Sequence, residues 1–97
     1  MPAYVFVNFD VLDPQRQAAL VPRFQAALHS VGARIIAFGN VVDRLEGDVE
    51  PYAKAAVFEF PTLEAAQAFY RSEIYKPLRA EREKIQRARM FIVAPEA

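Results

Sequence analysis

Four polar residues fall where apolar and polar side chains alternate as in strands: Asn8, Asp10, Arg34 and Glu59. A carboxylate on a half-buried sheet face has two fates. It is paired by a cation or by hydrogen-bond donors, because an unpaired charge there costs on the order of several kcal/mol. Otherwise its pKa rises and it becomes a general base. Asp10 and Glu59 are the candidates for that base, and Arg34 is the candidate partner for either or for an anionic ligand. Structural ion pairs perturb carboxylates as readily as catalysis does, so the pairing is the first expectation. Arg82 is a fifth candidate, set either to reach an anionic ligand at a cavity mouth or to pair with helix neighbours. Tyr70 and Tyr75 could place hydroxyls at a cavity edge, or pack a helix edge with the hydroxyl in water.

Other chemistry is excluded by composition. The 97 residues include no cysteine, which removes disulfides, thiol nucleophiles and thiolate metal sites. The one histidine, His29, precludes a multi-histidine site within one chain, so no metal and no cofactor are expected. No glycine-rich phosphate loop or nucleophile elbow is present. Twelve basic and twelve acidic residues cancel, leaving no global field for nucleic acid or an anionic membrane. Residues 71–89 are locally basic, seven cations against three acids, but Arg79–Glu83 and Glu83–Arg87 have the i,i+4 spacing of a solvated helix face. Nucleic-acid binding is therefore not expected. No apolar run approaches a membrane span, and no basic segment precedes the first strand, so a cytoplasmic location is expected.

The elements that must position these residues are legible in the periodicity. Residues 3–11 alternate, with Val5, Val7, Phe9 and Val11 on one face and Tyr4, Phe6, Asn8 and Asp10 on the other. Asp13-Pro14 opens a helix, Pro22 should kink or restart it, and Gly32 ends it. A second strand is expected over 33–46, with a bulge at Gly39-Asn40, and a third over Lys54–Phe60. Thr62 caps a second helix, Ser72 a further turn, and Lys76-Pro77 leads into a charged helix ending near Ala88. Met90–Ala94 reads as the last strand. The order is β-α-β-β-α-β with the second helix broken in two. It predicts one ferredoxin-like α+β domain over 1–97, an antiparallel sheet with its helices on one face.

Both faces of that sheet carry apolar residues. The first strand leaves Tyr4 and Phe6 opposite its helix side, and Ile36 and Phe38 share parity with Arg34. Each such side chain gains ~1.5–3 kcal/mol on burial, and 54% of the chain is hydrophobic against a usual ~45–50%. A homodimer, sheet facing sheet, is the simplest cover. The pocket expected there has greasy walls near Tyr4, Phe6, Ile36 and Phe38, with Asn8, Asp10, Arg34 and Glu59 as its polar points.

The chain resembles domain-of-unknown-function family 1330, small bacterial proteins of the dimeric α+β barrel superfamily. The resemblance rests on Tyr4 to Asp13, Gly32-Ala33-Arg34, Leu45-Glu46-Gly47-Asp48, Glu59-Phe60-Pro61 with Leu63-Glu64-Ala65-Ala66, and Phe69-Tyr70-x-Ser72-x-x-Tyr75. It implies a dimeric barrel and an arginine at position 82, but no established activity. The family's usual Gly-Gly-Arg is Gly32-Ala33-Arg34 here, and a common second arginine is Phe38. The superfamily includes cofactor-free monooxygenases, haem degraders and lactone isomerases. Asn8 matches one position of the haem degraders, but the chain has no tryptophan. The expectation is a cavity for a small, partly apolar ligand, serving a cofactor-free oxygenase or isomerase. The alternative is a non-catalytic dimerisation or sensing module.

Overall fold

A computed structural model describes residues 1–96. The first strand, β1 (Ala3–Val11), is central and pairs antiparallel with strands on both sides. Its burial alternates as its sequence does: Val5, Val7 and Phe9 are buried, and Tyr4, Phe6, Asn8 and Asp10 are half-buried on the opposite face. Helix α1 (Pro14–Ser30) follows. Asp13 caps it by accepting the Arg16 N–H at 3.1 Å, and Pro14 occupies the first turn, where its missing N–H is no loss. α1 runs through Pro22 as one helix rather than restarting there. At its end Gly32 takes φ +74°, which a side chain would resist. There the Gly32 and Ala33 N–H groups bond back to the His29 and Leu28 carbonyls.

Strand β2 (Arg34–Asn40) and strand β3 (Lys54–Phe60) form the next antiparallel pair. Helix α2 (Leu63–Tyr70) is capped by Thr62, whose hydroxyl accepts the Ala65 N–H at 3.0 Å. Helix α3 (Tyr75–Ile85) begins after Ser72, whose hydroxyl accepts the Tyr75 N–H at 3.2 Å. Strand β4 (Gln86–Val93) completes a four-stranded sheet in the order β2-β3-β1-β4. This is the ferredoxin-like arrangement. The core lies on one face, between Val5, Val7, Phe9, Ala56, Phe58 and Phe60 of the sheet and Leu20, Leu28, Phe69, Tyr75, Leu78 and Ile85 around it.

Three sequence expectations change. β2 stops at Asn40 instead of continuing to residue 46, and the chain from 41 to 53 forms no strand or helix. Val42, Leu45 and Val49 stand exposed along it, so their apolar character reported no burial within this chain. The last strand starts at Gln86, not Met90: Arg87 and Arg89 lie opposite Asp10 and Asn8, so their period is two and not helical.

The third change is the bulge, which lies between Ile35 and Ala37 and not at Gly39-Asn40. The extra residue, Ile36, inverts parity beyond it. Arg34 stays opposite Glu59 on the open face, whereas Phe38 lies opposite Ala56 and packs on Phe9, centroids 6.2 Å apart, on the helix side. Phe38 thus does not line the open face as its shared parity with Arg34 predicted.

Candidate functional site

The open face brings four of the candidates to one side of the sheet, in two separate groups. Tyr4 pairs with Glu59, and Asn8 with Ala55. Four residues along a strand span ~13 Å. At one end Arg34 Nε donates to Glu59 Oε1 at 2.8 Å, an ion pair whose arginine is largely exposed. At the other end Asn8 and Asp10 hold the chain that leads into β3. Asn8 Nδ2 donates to the Tyr52 and Lys54 carbonyls at 3.0 and 2.8 Å, and its Oδ1 accepts the Tyr52 N–H at 3.0 Å. Asp10 Oδ1 accepts the Ala53 N–H at 2.7 Å, and the Arg89 guanidinium lies 4.4 Å over the Tyr52 ring. Between the groups the face is aromatic: Phe6 and Phe91 stack at 5.6 Å with planes 3° apart.

Two half-open cavities are on the other side, between the helices and the sheet. One cavity of about 350 Å³ lies between β1, β3, β4 and the second and third helices, with Phe60, Phe69, Tyr70, Arg71 and Tyr75 among its walls. A second, of about 320 Å³, lies toward the opposite end of α1, with Phe9, Leu20, Phe38, Gln17, Gln86 and Arg82 among its walls. Both are mostly apolar. The bulge in β2 contributes here, because it turns Phe38 into this second cavity.

One polar pair crosses from one cavity to the other. Tyr75, at the start of α3, is almost fully buried against Phe24, Phe69 and Tyr70. Its hydroxyl accepts from Arg82 Nε at 3.1 Å. Seven residues are two helical turns, so the two side chains share one face of α3. The hydroxyl proton and the remaining guanidinium donors are left for another acceptor. Arg82 therefore points under the helices, away from the open face that carries the other four candidates. Nearby, Gln86 Nε2 donates to Gln17 Oε1 at 2.7 Å. On α3 the pair Arg79–Glu83 forms at 3.0 Å as its spacing predicted, Glu83–Arg87 does not because Arg87 lies in β4, and Glu81 pairs instead with Arg16 of α1 at 2.7 Å.

Sequence reasoning gave Tyr75 only an edge position. The usable signal was the Tyr75–Arg82 spacing with Leu78 between them, which puts an arginine and a tyrosine on the buried face of one helix. Among the described residues, no group of three or more histidines, cysteines and carboxylates is placed to hold a metal ion, and no helix is long and apolar enough to cross a membrane.

Two outcomes follow from this geometry. Asn8→Ala removes three bonds to the backbone at 52–54 and should cost ~1–3 kcal/mol, with faster amide exchange at Tyr52. Arg34→Ala breaks an exposed pair and should cost under ~1 kcal/mol. Denaturant titration with hydrogen exchange reads both, and an Asn8→Ala protein with unchanged exchange refutes the clasp. The second outcome concerns pH. Burial pushes the Tyr75 phenol above its ordinary value of 10.0, against the opposing pull of Arg82. The native state then holds this proton longer than the unfolded chain does. The associated stability is complete below pH 10 and is lost as pH rises through the folded value. Tyrosinate should form at Tyr75 above the ordinary phenol range, and Tyr75→Phe should delete that late component from the absorbance titration.

Solved structures share this architecture. A protein of unknown function from Rhodopseudomonas palustris aligns over 99% of this chain and 83% of its own, at TM-score 0.78 and 15% identity. A dimeric ferredoxin-like protein of unknown function from Jannaschia sp. CCS1 aligns over 98% of this chain and all of its own, at 0.74 and 12%. SnoaB, a cofactor-independent oxygenase from Streptomyces nogalater, aligns over 99% of this chain and 94% of its own, at 0.72 and 8%. At these identities the likeness is one of fold. No curated protein matches the sequence. The model of a domain of unknown function, DUF1330, matches residues 2–95, nearly the whole chain, and the protein belongs to that family.

Proposed function

We propose that this protein binds a small, largely apolar molecule bearing one carbonyl or carboxylate oxygen, in the space between its helices and its sheet. The activity class is a cofactor-free oxygenase or isomerase. The observation that carries this reading is the hydrogen bond between buried Tyr75 and half-buried Arg82, among mostly apolar walls. A phenol O–H whose oxygen already accepts from a guanidinium is a strengthened donor. Aimed at a substrate oxygen in a dry site, it stabilises negative charge developing there. Enolisation builds up such charge on the carbonyl oxygen, and the later reaction of the enolate with dioxygen passes it on to the oxygen molecule. SnoaB shows that this fold carries cofactor-independent oxygenation in one of its members. Arg82 is the ligand-binding candidate this reading keeps. Asn8, Asp10, Arg34 and Glu59 act on the open face, as the clasp and ion pair described above.

The protein works as a homodimer through that open face. Phe6, Phe91 and Val57 lie side by side there, and Phe91 is 56% exposed. The neighbour from Jannaschia is described as dimeric. A non-catalytic dimerisation module is the competing reading, and the same aromatic surface is what favours it.

Two experiments separate these readings. A panel of small aromatic and aliphatic carboxylates and ketones is screened by thermal shift, since a ligand of the native state raises apparent stability by mass action. At least one should raise the melting temperature, and Tyr75→Phe should weaken its binding by about tenfold, the value of a lost hydrogen bond to a polarised donor. A panel without any shift sinks the ligand reading. Sedimentation should show a dimer at micromolar concentration, with an interface of ~1,200–2,000 Å² or more. Phe6→Asp should give folded monomers, because it places a charge on the covered face. A monomeric wild type overturns the dimer.

A further inference from the structure

The two cavities adjoin. They share three wall residues, Phe24, Phe58 and Met90. Phe58 and Met90 belong to the sheet, and only Phe24 comes down from α1. Its ring lies 5.2 Å from Phe58 and 5.8 Å from Tyr75, with no polar atom to anchor it. Pro22, two residues earlier, cannot donate to the Ala18 carbonyl, so α1 lacks one of its hydrogen bonds close to Phe24.

The polar pair stands at this same junction. Tyr75 lines the first cavity and Arg82 the second, and their hydrogen bond joins the two beside Phe24. The cavities thus run in line along β1, from Val5 in the first to Phe9 in the second, a span of ~13 Å. The hydrogen-bonding group is near the middle of that span and apolar walls extend both ways.

We propose that the two cavities are halves of one elongated site, divided by Phe24, and that its ligand carries its oxygen in mid-chain with an apolar arm on each side. The ligand class is an internal ketone or similar carbonyl compound rather than a molecule with a terminal head group. The argument rests on the ligand reading above and adds where on the ligand the oxygen lies. With the carbonyl in mid-chain, both arms leave water while the oxygen meets the Tyr75 hydroxyl. With the carbonyl near one end, one arm is too short to fill its half, and the other overruns its own. Each buried methylene changes affinity about fourfold, so an arm mismatched by only one or two groups is measurable.

Isomeric ketones test this without changing composition. Binding of 6-undecanone and 2-undecanone to the wild-type protein is followed by NMR titration. The 6-isomer should bind at least about tenfold tighter, the change expected from one or two methylenes. Tyr75→Phe should remove most of that preference, since the preference depends on where the oxygen meets its donor. Phe24→Leu, which keeps an apolar side chain in the core, should strengthen binding of the 6-isomer by lowering the divider. Equal binding of the two isomers overturns the mid-chain assignment and leaves the ligand reading standing. A preference untouched by Tyr75→Phe overturns the role of the junction. If neither ketone and no member of the earlier panel binds, both readings fall together.

Discussion

The pairing of β1 on both its edges is the constraint on which the rest of the molecule depends. Nine residues, Ala3–Val11, are hydrogen-bonded to β3 on one side and β4 on the other. Their alternation fixes which face of three strands meets the helices. Val5, Val7 and Phe9 each gain ~1.5–3 kcal/mol by lying under the helices. A slip of one residue would exchange them for Tyr4, Phe6 and Asn8 and would expose all three. That penalty holds the register, and the register in turn places Phe58, Phe60 and Met90 on the floor of the two cavities.

The floor alone makes no site. Its roof is set by α1 and by the break between α2 and α3. Ser72 ends one helical run and its hydroxyl starts the next, which lets Tyr75 turn inward against Phe69 and Phe24. Tyr75 is the one buried side chain of the core with a polar tip, and a buried hydroxyl without a partner costs ~1–3 kcal/mol. Arg82 satisfies it from two turns away on the same helix. Structural need and chemical opportunity coincide here. The bond that makes Tyr75 tolerable in the core also polarises its hydroxyl among mostly apolar neighbours.

The two faces of the sheet divide their labour by polarity. On the open face the four candidate polar groups are already engaged: Arg34 with Glu59, and Asn8 and Asp10 with the backbone at 52–54. Groups with satisfied bonds fix a chain in place and have little left for a ligand. Under the helices Tyr75 and Arg82 retain unused donors beside mostly apolar walls. Small-molecule sites are usually built in this second way, from apolar walls with sparse polar points.

The sequence by itself determined the element order, the caps at Asp13, Thr62 and Ser72, and the two faces of β1 and β3. These are local properties: a period of two, a capping hydroxyl or a helix-ending glycine acts within a few residues. It also determined that Asn8, Asp10, Arg34 and Glu59 share a face, because Arg34 precedes the irregularity in β2. Tertiary structure decided what depends on two strands meeting. The bulge at Ile36 has no mark of its own in the residues, since Gly39-Asn40 carries the stronger local signal; it belongs to the register of β2 on β3, which puts both Ile35 and Phe38 on the helix side. The same holds for β4, where Arg87 reads as helix until Asp10 lies opposite it. The site followed suit. Tyr75, Arg82 and Phe24 are scattered over two helices, and only packing against one sheet face brings a hydroxyl, a guanidinium and a dividing ring to one junction.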